Sequence, residues 1–305
     1  MNRCTTILVF ISSFSGALAA EVRQPQIKNI LFIVSDDLKA SALGCYGNEV
    51  CQTPHLDRLA KRGMVFERAY CQGLACAPSR PSFMHSAYPG FKGKRAVSLG
   101  EHLQSHDYYT ARVGKIYHMK VPGHIIPGAN GDDVAACWTE RFNSSGKEAH
   151  TPGEYACLNK NIFTTKLEGR ESTAMPNRMF VTVSYEGDGS DQPDHKTATK
   201  TIELLRERKD KPFFIAAGFI RPHYPMVQPK PYFDRYPWKE MLLPKQVTGD
   251  LDDIPLAGRS GSTSEKTGIA KFPDNQKRMW QGYYASVTSM DDQVGRVLEE
   301  LARLA

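Results

Sequence analysis

From Asn29 to Ser35 the chain reads Asn-Ile-Leu-Phe-Ile-Val-Ser, an unbroken β-rich run that predicts a strand covered on both faces in a parallel or mixed sheet. Asp36-Asp37 ends it. Thr53-Pro54 then reads as N-cap and first helical residue, Leu56, Leu59 and Ala60 fall at helical spacing, and Gly63 stops the helix. A second strand is expected over Met64 to Tyr70. Ser98 and Glu101 have the spacing of a capping box and open a short helix, which a third strand, Tyr108 to Val113, follows. The unit recurs as a helix around Thr197 to Arg208 and a strand from Pro212 to Phe219. Such alternation predicts an α/β fold, a doubly wound, mixed and mostly parallel sheet with helices on both faces.

Between these units Lys120 to Pro193 is rich in Gly, Asn, Ser and Pro and poorly patterned. It is expected to form excursions over the rim of the sheet, where substrate specificity usually resides. From Asp274 onward Trp280, Tyr283, Tyr284, Val287, Met290, Val294, Val297, Leu298 and Leu301 recur at intervals of three and four, the stripe of a long amphipathic helix. In a βαβ architecture such a helix returns into another strand. The chain stops at Ala305, so residues 20–305 read as the N-terminal part of a domain, cut before its last strands.

The first nineteen residues stand apart from the fold. Arg3 gives a short positive start, Thr6 to Phe14 is mostly apolar, and Ala17-Leu18-Ala19 offers the small residues of a secretory cleavage site. The apolar run is well short of the ~20 residues that a membrane-spanning helix needs, and no later segment is longer. The expectation is an exported protein without a membrane span, periplasmic or extracellular, or lysosomal in a eukaryote. Cys4 leaves with this signal, and Cys45, Cys51, Cys71, Cys76, Cys137 and Cys157 remain. An oxidising exterior permits disulfides, and Cys137 with Cys157, joined by a loop-rich segment, is the best candidate pair. With Cys76 set aside for chemistry five are left, so at least one stays unpaired.

Composition narrows the class. A chain of 305 residues with 41% hydrophobic and 24% charged residues is neither a disordered tail nor a fibre. The formal charge of +6 comes without a dense Lys/Arg block, which argues against a nucleic-acid partner and leaves a mild attraction for anionic substrates.

Open α/β sheets place their ligands at the carboxyl ends of the strands. Four features collect there: Asp36-Asp37 past the first strand, Cys76-Ala77-Pro78-Ser79-Arg80 past the second, Lys115 and His118 past the third, and Arg221-Pro222-His223 past the fourth. Paired carboxylates suit a hard cation with oxygen ligands. Lys, Arg and two His facing that cation suit a tetrahedral anion. Each feature alone has a bland explanation as a turn, loop or surface pair. Together, at strand ends, they point to one site.

With these residues in place the chain resembles a type I sulfatase of the alkaline-phosphatase superfamily, in its branch of iduronate-2-sulfatases and their bacterial relatives. The matching stretches are Ile30 to Leu38, Leu43 to Gly47, Thr53 to Arg80, Val113 to His118, Pro212 to Pro225 and Tyr284 to Leu298. The resemblance implies that a formylglycine-generating or equivalent maturing enzyme oxidises Cys76 to formylglycine, whose hydrate carries two hydroxyls on one carbon. One hydroxyl attacks sulfur and releases the alcohol; the other then loses its proton and the diol collapses to the aldehyde as sulfate leaves. A thiol could not perform that elimination. By the same resemblance Asp36 and Asp37 ligate a Ca²⁺ that also contacts residue 76 and a sulfate oxygen. Arg80 and Lys115 hold the nucleophile and the sulfuryl group, His118 takes the diol proton, and His223 binds sulfate or protonates the leaving oxygen. The implied substrate is a sulfated carbohydrate.

The sequence departs from the family in three respects. The motif commonly continues into Thr-Gly, where this chain has His85-Ser86; the stretch from Ser86 to Val97 is shorter than in relatives; and the family's remaining metal ligands and a further Lys come from a strand and loop that would begin after Ala305. Two alternatives therefore accompany the sulfatase reading. One is a metal-dependent phosphoesterase of the same superfamily, which the Cys-x-Pro-Ser-Arg motif disfavours. The other is a truncated, non-catalytic form that keeps a sulfate-binding pocket.

Overall fold

The computed structural model describes residues 29–73, 75–88, 96–170, 177–243, 247–250, 252–256 and 268–304. The signal-peptide reading of residues 1–19 lies outside them. In chain order the elements are β1 (Asn29–Asp36), α1 (Pro54–Arg62), α2 (Cys76–His85), α3 (Leu99–Gln104), β2 (Tyr109–Gly114), β3 (Glu140–Phe142), β4 (Glu154–Cys157), β5 (Ile162–Thr164), β6 (Val181–Tyr185), α4 (Pro193–Arg208), β7 (Phe213–Pro222), β8 (Met226–Pro229), α5 (Lys230–Asp234) and α6 (Pro273–Leu304), with short 3-10 turns between them.

One sheet has the order β1-β7-β2-β3 and is parallel throughout, as the alternation of strands and helices predicts. Its central strand β7 is buried along all ten residues. Because successive side chains point to opposite faces, Phe213, Ile215, Ala217 and Phe219 pack with Leu31 and Ile33 against Ala198, Leu204 and Leu205 of α4 and Met290, Val294 and Val297 of α6. Phe214 and Ala216 turn the other way and meet Phe32, Val34, Met84 of α2 and Leu103 of α3. Each large apolar side chain buried in this way contributes about 1.5 to 3 kcal/mol. The capping box forms as its spacing predicts, with Glu101 N donating to Ser98 Oγ at 3.1 Å and Ser98 N to Glu101 Oε2 at 3.0 Å.

Three expectations are corrected. Residues 64–70 form no strand: Met64, Phe66 and Tyr70 are exposed, and the segment, with Glu67 and Arg68 at its middle, has no ladder partner among the described residues. The supposed excursion 120–193 instead builds most of a second, mixed sheet of order β5-β4-β6-β8. It has its own core of Tyr155, Cys157, Val181, Val183, Tyr185 and Val227. Cys137 and Cys157 are not bridged, and all six cysteines from Cys45 to Cys157 are free thiols. The reason is that the two belong to separate cores. Cys137 sits under the first sheet and donates to Ser98 Oγ at 2.9 Å, whereas Cys157 sits in the second.

Helix α6 holds the two sheets together. Its 32 residues span about 48 Å at 1.5 Å per residue. The amphipathic stripe is covered along its middle, where Val287, Met290, Val294 and Val297 are all buried, and only partly at Trp280, Tyr283, Tyr284, Leu298 and Leu301. Near its start Gly282 lies against Thr182 of β6 and Met226 of β8. Among the described residues no helix is long and apolar enough to cross a membrane.

Candidate active site

The carboxyl end of β1 delivers both acidic residues. The register between β1 and β7 shifts between Ser35 and Asp36, so that Asp36 faces Pro222. Asp37 then adopts a left-handed backbone (φ 62°), a conformation that Asp tolerates better than most residues. Consecutive strand residues would point to opposite faces. The turn breaks that alternation and leaves Asp37 Oδ2 3.8 Å from His223 Nε2. At the end of β2, Gly114 (φ 72°) and Gly218 let two backbones close on each other. A Cβ on Gly114 would lie 2.3 Å from Gly218 O, and one on Gly218 2.1 Å from Lys115 O. Lys115 N donates to Gly218 O at 2.9 Å. The Lys115 side chain, fully buried, forms an ion pair with Asp36.

Helix α2 begins at Cys76, so Cys-Ala-Pro-Ser-Arg is its opening turn. Ser79 Oγ donates to Ala75 O at 2.8 Å and is 3.0 Å from Gly73 O, which ties this turn to the chain before it. Arg80, four residues after Cys76, emerges on the same helical face. It is 2% exposed, donates to the carbonyls of Lys115 and Ile116 at 2.7 Å each, and reaches Asp36 Oδ1 at 3.2 Å. Cys76 sits at the positive end of the helix, which favours negative charge. Its Sγ is 3.4 Å from His118 Nδ1. Donor atoms of Asp36, Cys76 and His223 all lie within 4.8 Å of one another.

The charges follow from burial and neighbours. Burial pushes the Asp36 carboxyl up, but Lys115, Arg80 and His223 together outweigh it and hold it down at about 2. Burial, then the adjacent Asp36, raises Asp37. Burial and then Lys115 lower His223 to about 3, and the same two causes lower His118. Burial raises the Cys76 thiol. At neutral pH the cluster is thus an ionised Asp36 between two cations, with both imidazoles neutral. His223 Nδ1 lies 2.6 Å from Tyr224 O, which assigns the proton to Nδ1 and leaves Nε2 a bare acceptor. In donor chemistry Asp36 and Asp37 are the hard oxygen ligands that a divalent cation takes, and Asp36 belongs to the group of donor atoms that lie within 4.8 Å of one another.

All seven residues singled out in the sequence, Asp36, Asp37, Cys76, Arg80, Lys115, His118 and His223, therefore meet at one end of the first sheet. Asp36 is their hub; Asp37, the other expected ligand, touches His223 and stays half-exposed. Sequence reading named Arg221 beside His223 but missed the two acids that hold it. Arg221 Nη2 donates to Glu148 Oε2 at 2.9 Å, and the Asp194 carboxylate accepts from the backbone of Ile220 and Arg221 at 2.7 and 3.0 Å. Neither acid carried a signal, since Glu148 stands in a patternless loop and Asp194 reads as an ordinary first-turn acid of α4.

The family model described as Sulfatase matches residues 28–305. An iduronate 2-sulfatase of Homo sapiens is 28% identical over 319 residues, which cover 95% of this chain and 55% of that protein. A sulfatase of Formosa agariphila is 28% identical over 308 residues, 92% of this chain and 56% of its own length. The chain thus spans about half the length of the curated relatives it matches. Among solved structures, a phosphonate monoester hydrolase of Agrobacterium radiobacter superposes with a TM-score of 0.62 at 19% identity, over 91% of this chain and 60% of that one. A putative sulfatase from Bacteroides fragilis gives 0.57 at 21% identity, over 94% and 61%. At such identities these structures speak for the fold alone. With a family model matched from residue 28 to the last residue and the motif cysteine seated among Asp36, Arg80, Lys115 and two histidines, the chain belongs to the sulfatase family.

Proposed function

We propose that the protein hydrolyses sulfate esters of carbohydrates at this site, with residue 76 as the nucleophile after oxidation of Cys76 to formylglycine. The observation that carries the reading is the placing of Cys76 Sγ, 3.4 Å from His118 Nδ1 and clustered with Asp36 and His223. Sγ stands where an oxygen of the hydrated aldehyde would be. His118, kept neutral by burial and Lys115, is then a base within reach of that hydroxyl. Lys115 and Arg80 supply fixed positive charge for the sulfuryl oxygens without reorganising as charge builds. His223 Nε2 is an acceptor in the free protein; an incoming anion raises its proton affinity and so converts it to a donor for sulfate or the leaving oxygen.

Asp36 and Asp37 would hold a Ca²⁺, which when bound supplies further charge for the sulfuryl oxygens and for residue 76. The formal charges of Asp36, Asp37, Lys115 and Arg80 cancel, so such a cation gives the site the net positive charge that an anionic ester requires. A saccharide substrate is favoured by the likeness to an iduronate 2-sulfatase, and export by the signal-like first nineteen residues.

Two measurements test the reading on protein made with a formylglycine-generating enzyme. The peptide containing residue 76 should be about 18 Da lighter than its thiol form. The protein should release sulfate from 4-nitrophenyl sulfate or a 2-O-sulfated uronide, and Cys76→Ala should not. Phosphate or phosphonate ester turnover without sulfate release would move the assignment to the phosphoesterases.

A further inference from the structure

The loop that presents His223 is the junction of the two sheets. β7 of the first sheet ends at Pro222 and β8 of the second starts at Met226. The loop has a proline at each end, His223 N donates to Ile220 O at 2.9 Å, and Arg178 packs over the Tyr224 ring. Arg221 ties the loop to the surrounding chain at the most points. Its guanidinium, 3% exposed, pairs with Glu148, itself fully buried, and Nη1 donates to the carbonyl of His223 at 3.2 Å. Its backbone N–H, with that of Ile220, is held by Asp194. Its carbonyl accepts from Ser35 Oγ at 2.8 Å, one residue before Asp36.

We propose that Glu148, Arg221 and Asp194 form a positioning network that sets His223 against Asp37 and the bound sulfuryl group. This rests on the catalytic reading of His223 given above. Glu148 is in a 3-10 turn before β4, Asp194 in the first turn of α4 and Arg221 at the end of β7, so three separate elements converge on one loop. The chemistry requires carboxylates at both places. Asp194 accepts one N–H on each oxygen, and an amide there would set a donor against a donor. Glu148 balances a guanidinium that is buried, and a guanidinium tolerates burial only when paired. Arg suits the junction because its fork bonds Glu148 and the His223 carbonyl at once, which a Lys ammonium on a flexible stem does not reproduce. Glu148, Arg221 and Asp194 are all buried. Their effect passes through His223.

That dependence is what an experiment can read. In the matured full-length protein, a double-mutant cycle pairs Glu148→Gln with His223→Ala, with kcat and KM for 4-nitrophenyl sulfate as readout. Glu148→Gln should lower kcat by about ten- to a hundredfold and change KM less than about threefold when His223 is present. In the His223→Ala background the same substitution should change kcat by less than about threefold, because the group it positions is gone. Equal losses in the two backgrounds would show a general structural effect and overturn the network. Should Glu148→Gln fail to fold, Glu148→Asp, which keeps the charge but shortens the reach to Arg221, carries the same cycle. If His223→Ala alone leaves kcat unchanged, the failure belongs to the catalytic reading of His223 and not to additivity in the cycle.

Discussion

Lys115 is the residue on which the site's electrostatics turn. It is fully buried and its ammonium has, among the described residues, one carboxylate partner, Asp36, which is also held by Arg80. Removing one member of a buried pair leaves an uncompensated charge and costs about 3 to 5 kcal/mol, and the residual pairing with Arg80 puts this case at the lower end. Lys115→Met should therefore lower the unfolding free energy by about 3 kcal/mol in a urea titration, as well as abolishing sulfate release. A loss under 1 kcal/mol would mean that Asp36 is neutralised in another way. Asp194 gives a prediction of opposite character. Complete burial pushes its carboxyl up to about 6, against the pull of Arg221 and two backbone N–H groups. A carboxyl raised above its ordinary 3.8 stabilises the fold fully below that value and loses the contribution as pH rises through about 6. Wild type should thus gain up to about 3 kcal/mol relative to Asp194→Asn between pH 7 and pH 4, measured by denaturant unfolding at each pH. Parallel profiles would place the Asp194 value within the ordinary carboxylate range.

At the scale of elements, α1 illustrates how far local sequence reaches. Thr53 and Pro54 mark its start correctly, yet Thr53 Oγ1 does not cap it; that oxygen accepts from Gly44 N at 2.9 Å and lies 3.2 Å from Asp57. The cap comes from α6, where Asp291 accepts from His55 N at 3.0 Å and from Leu56 N at 2.8 Å. Each of its oxygens accepts one backbone N–H, so Asp291 acts as the cap of α1. Asp291→Ala leaves two amide groups without acceptors and should cost about 2 to 4 kcal/mol in thermal or urea unfolding, while the aldehyde content of residue 76 stays unchanged. The same limit explains which elements were legible. β1, β7 and α6 carry long apolar periods that tertiary context has no reason to override. Strands β4, β5, β6 and β8 have three to five residues each, too short for alternation to stand out from loop. Met64 to Tyr70 has the composition of a strand, but composition does not supply a neighbour to pair with. Asp36, Asp37, Lys115, His118 and His223 were legible because they follow strand ends, and Cys76 and Arg80 through their motif alone, since the strand expected before them does not form; Glu148 and Asp194 were not, because a lone carboxylate looks alike whether it is solvated or buried under a catalytic loop.

The whole molecule couples its two sheets through α6 and the loop between β7 and β8, so a disturbance where α6 meets the second sheet should be felt at His223. Gly282 separates the possible outcomes by sign. In an exposed helix interior Gly→Ala stabilises by roughly 1 kcal/mol. Here a Cβ would lie 2.8 Å from Thr182 Cγ2 and 3.3 Å from Met226 Cβ, and Met226 opens β8 three residues after His223. Overpacking of this kind costs about 1 to 3 kcal/mol, which outweighs the gain in propensity. Gly282→Ala should accordingly lower stability by up to about 2 kcal/mol and push β6 and β8 away from α6. Since Arg221 and Asp194 fix the near side of the loop, the displacement falls on Tyr224 and Pro225 and alters the hydrogen bond that holds the His223 ring. A larger fall in kcat than Asp291→Ala produces at equal loss of stability is the expected result, read from paired unfolding and 4-nitrophenyl sulfate assays. If Gly282→Ala stabilises the protein and leaves kcat intact, the contact between α6 and the second sheet is loose enough to absorb a methyl group, and the two sheets are not coupled through it.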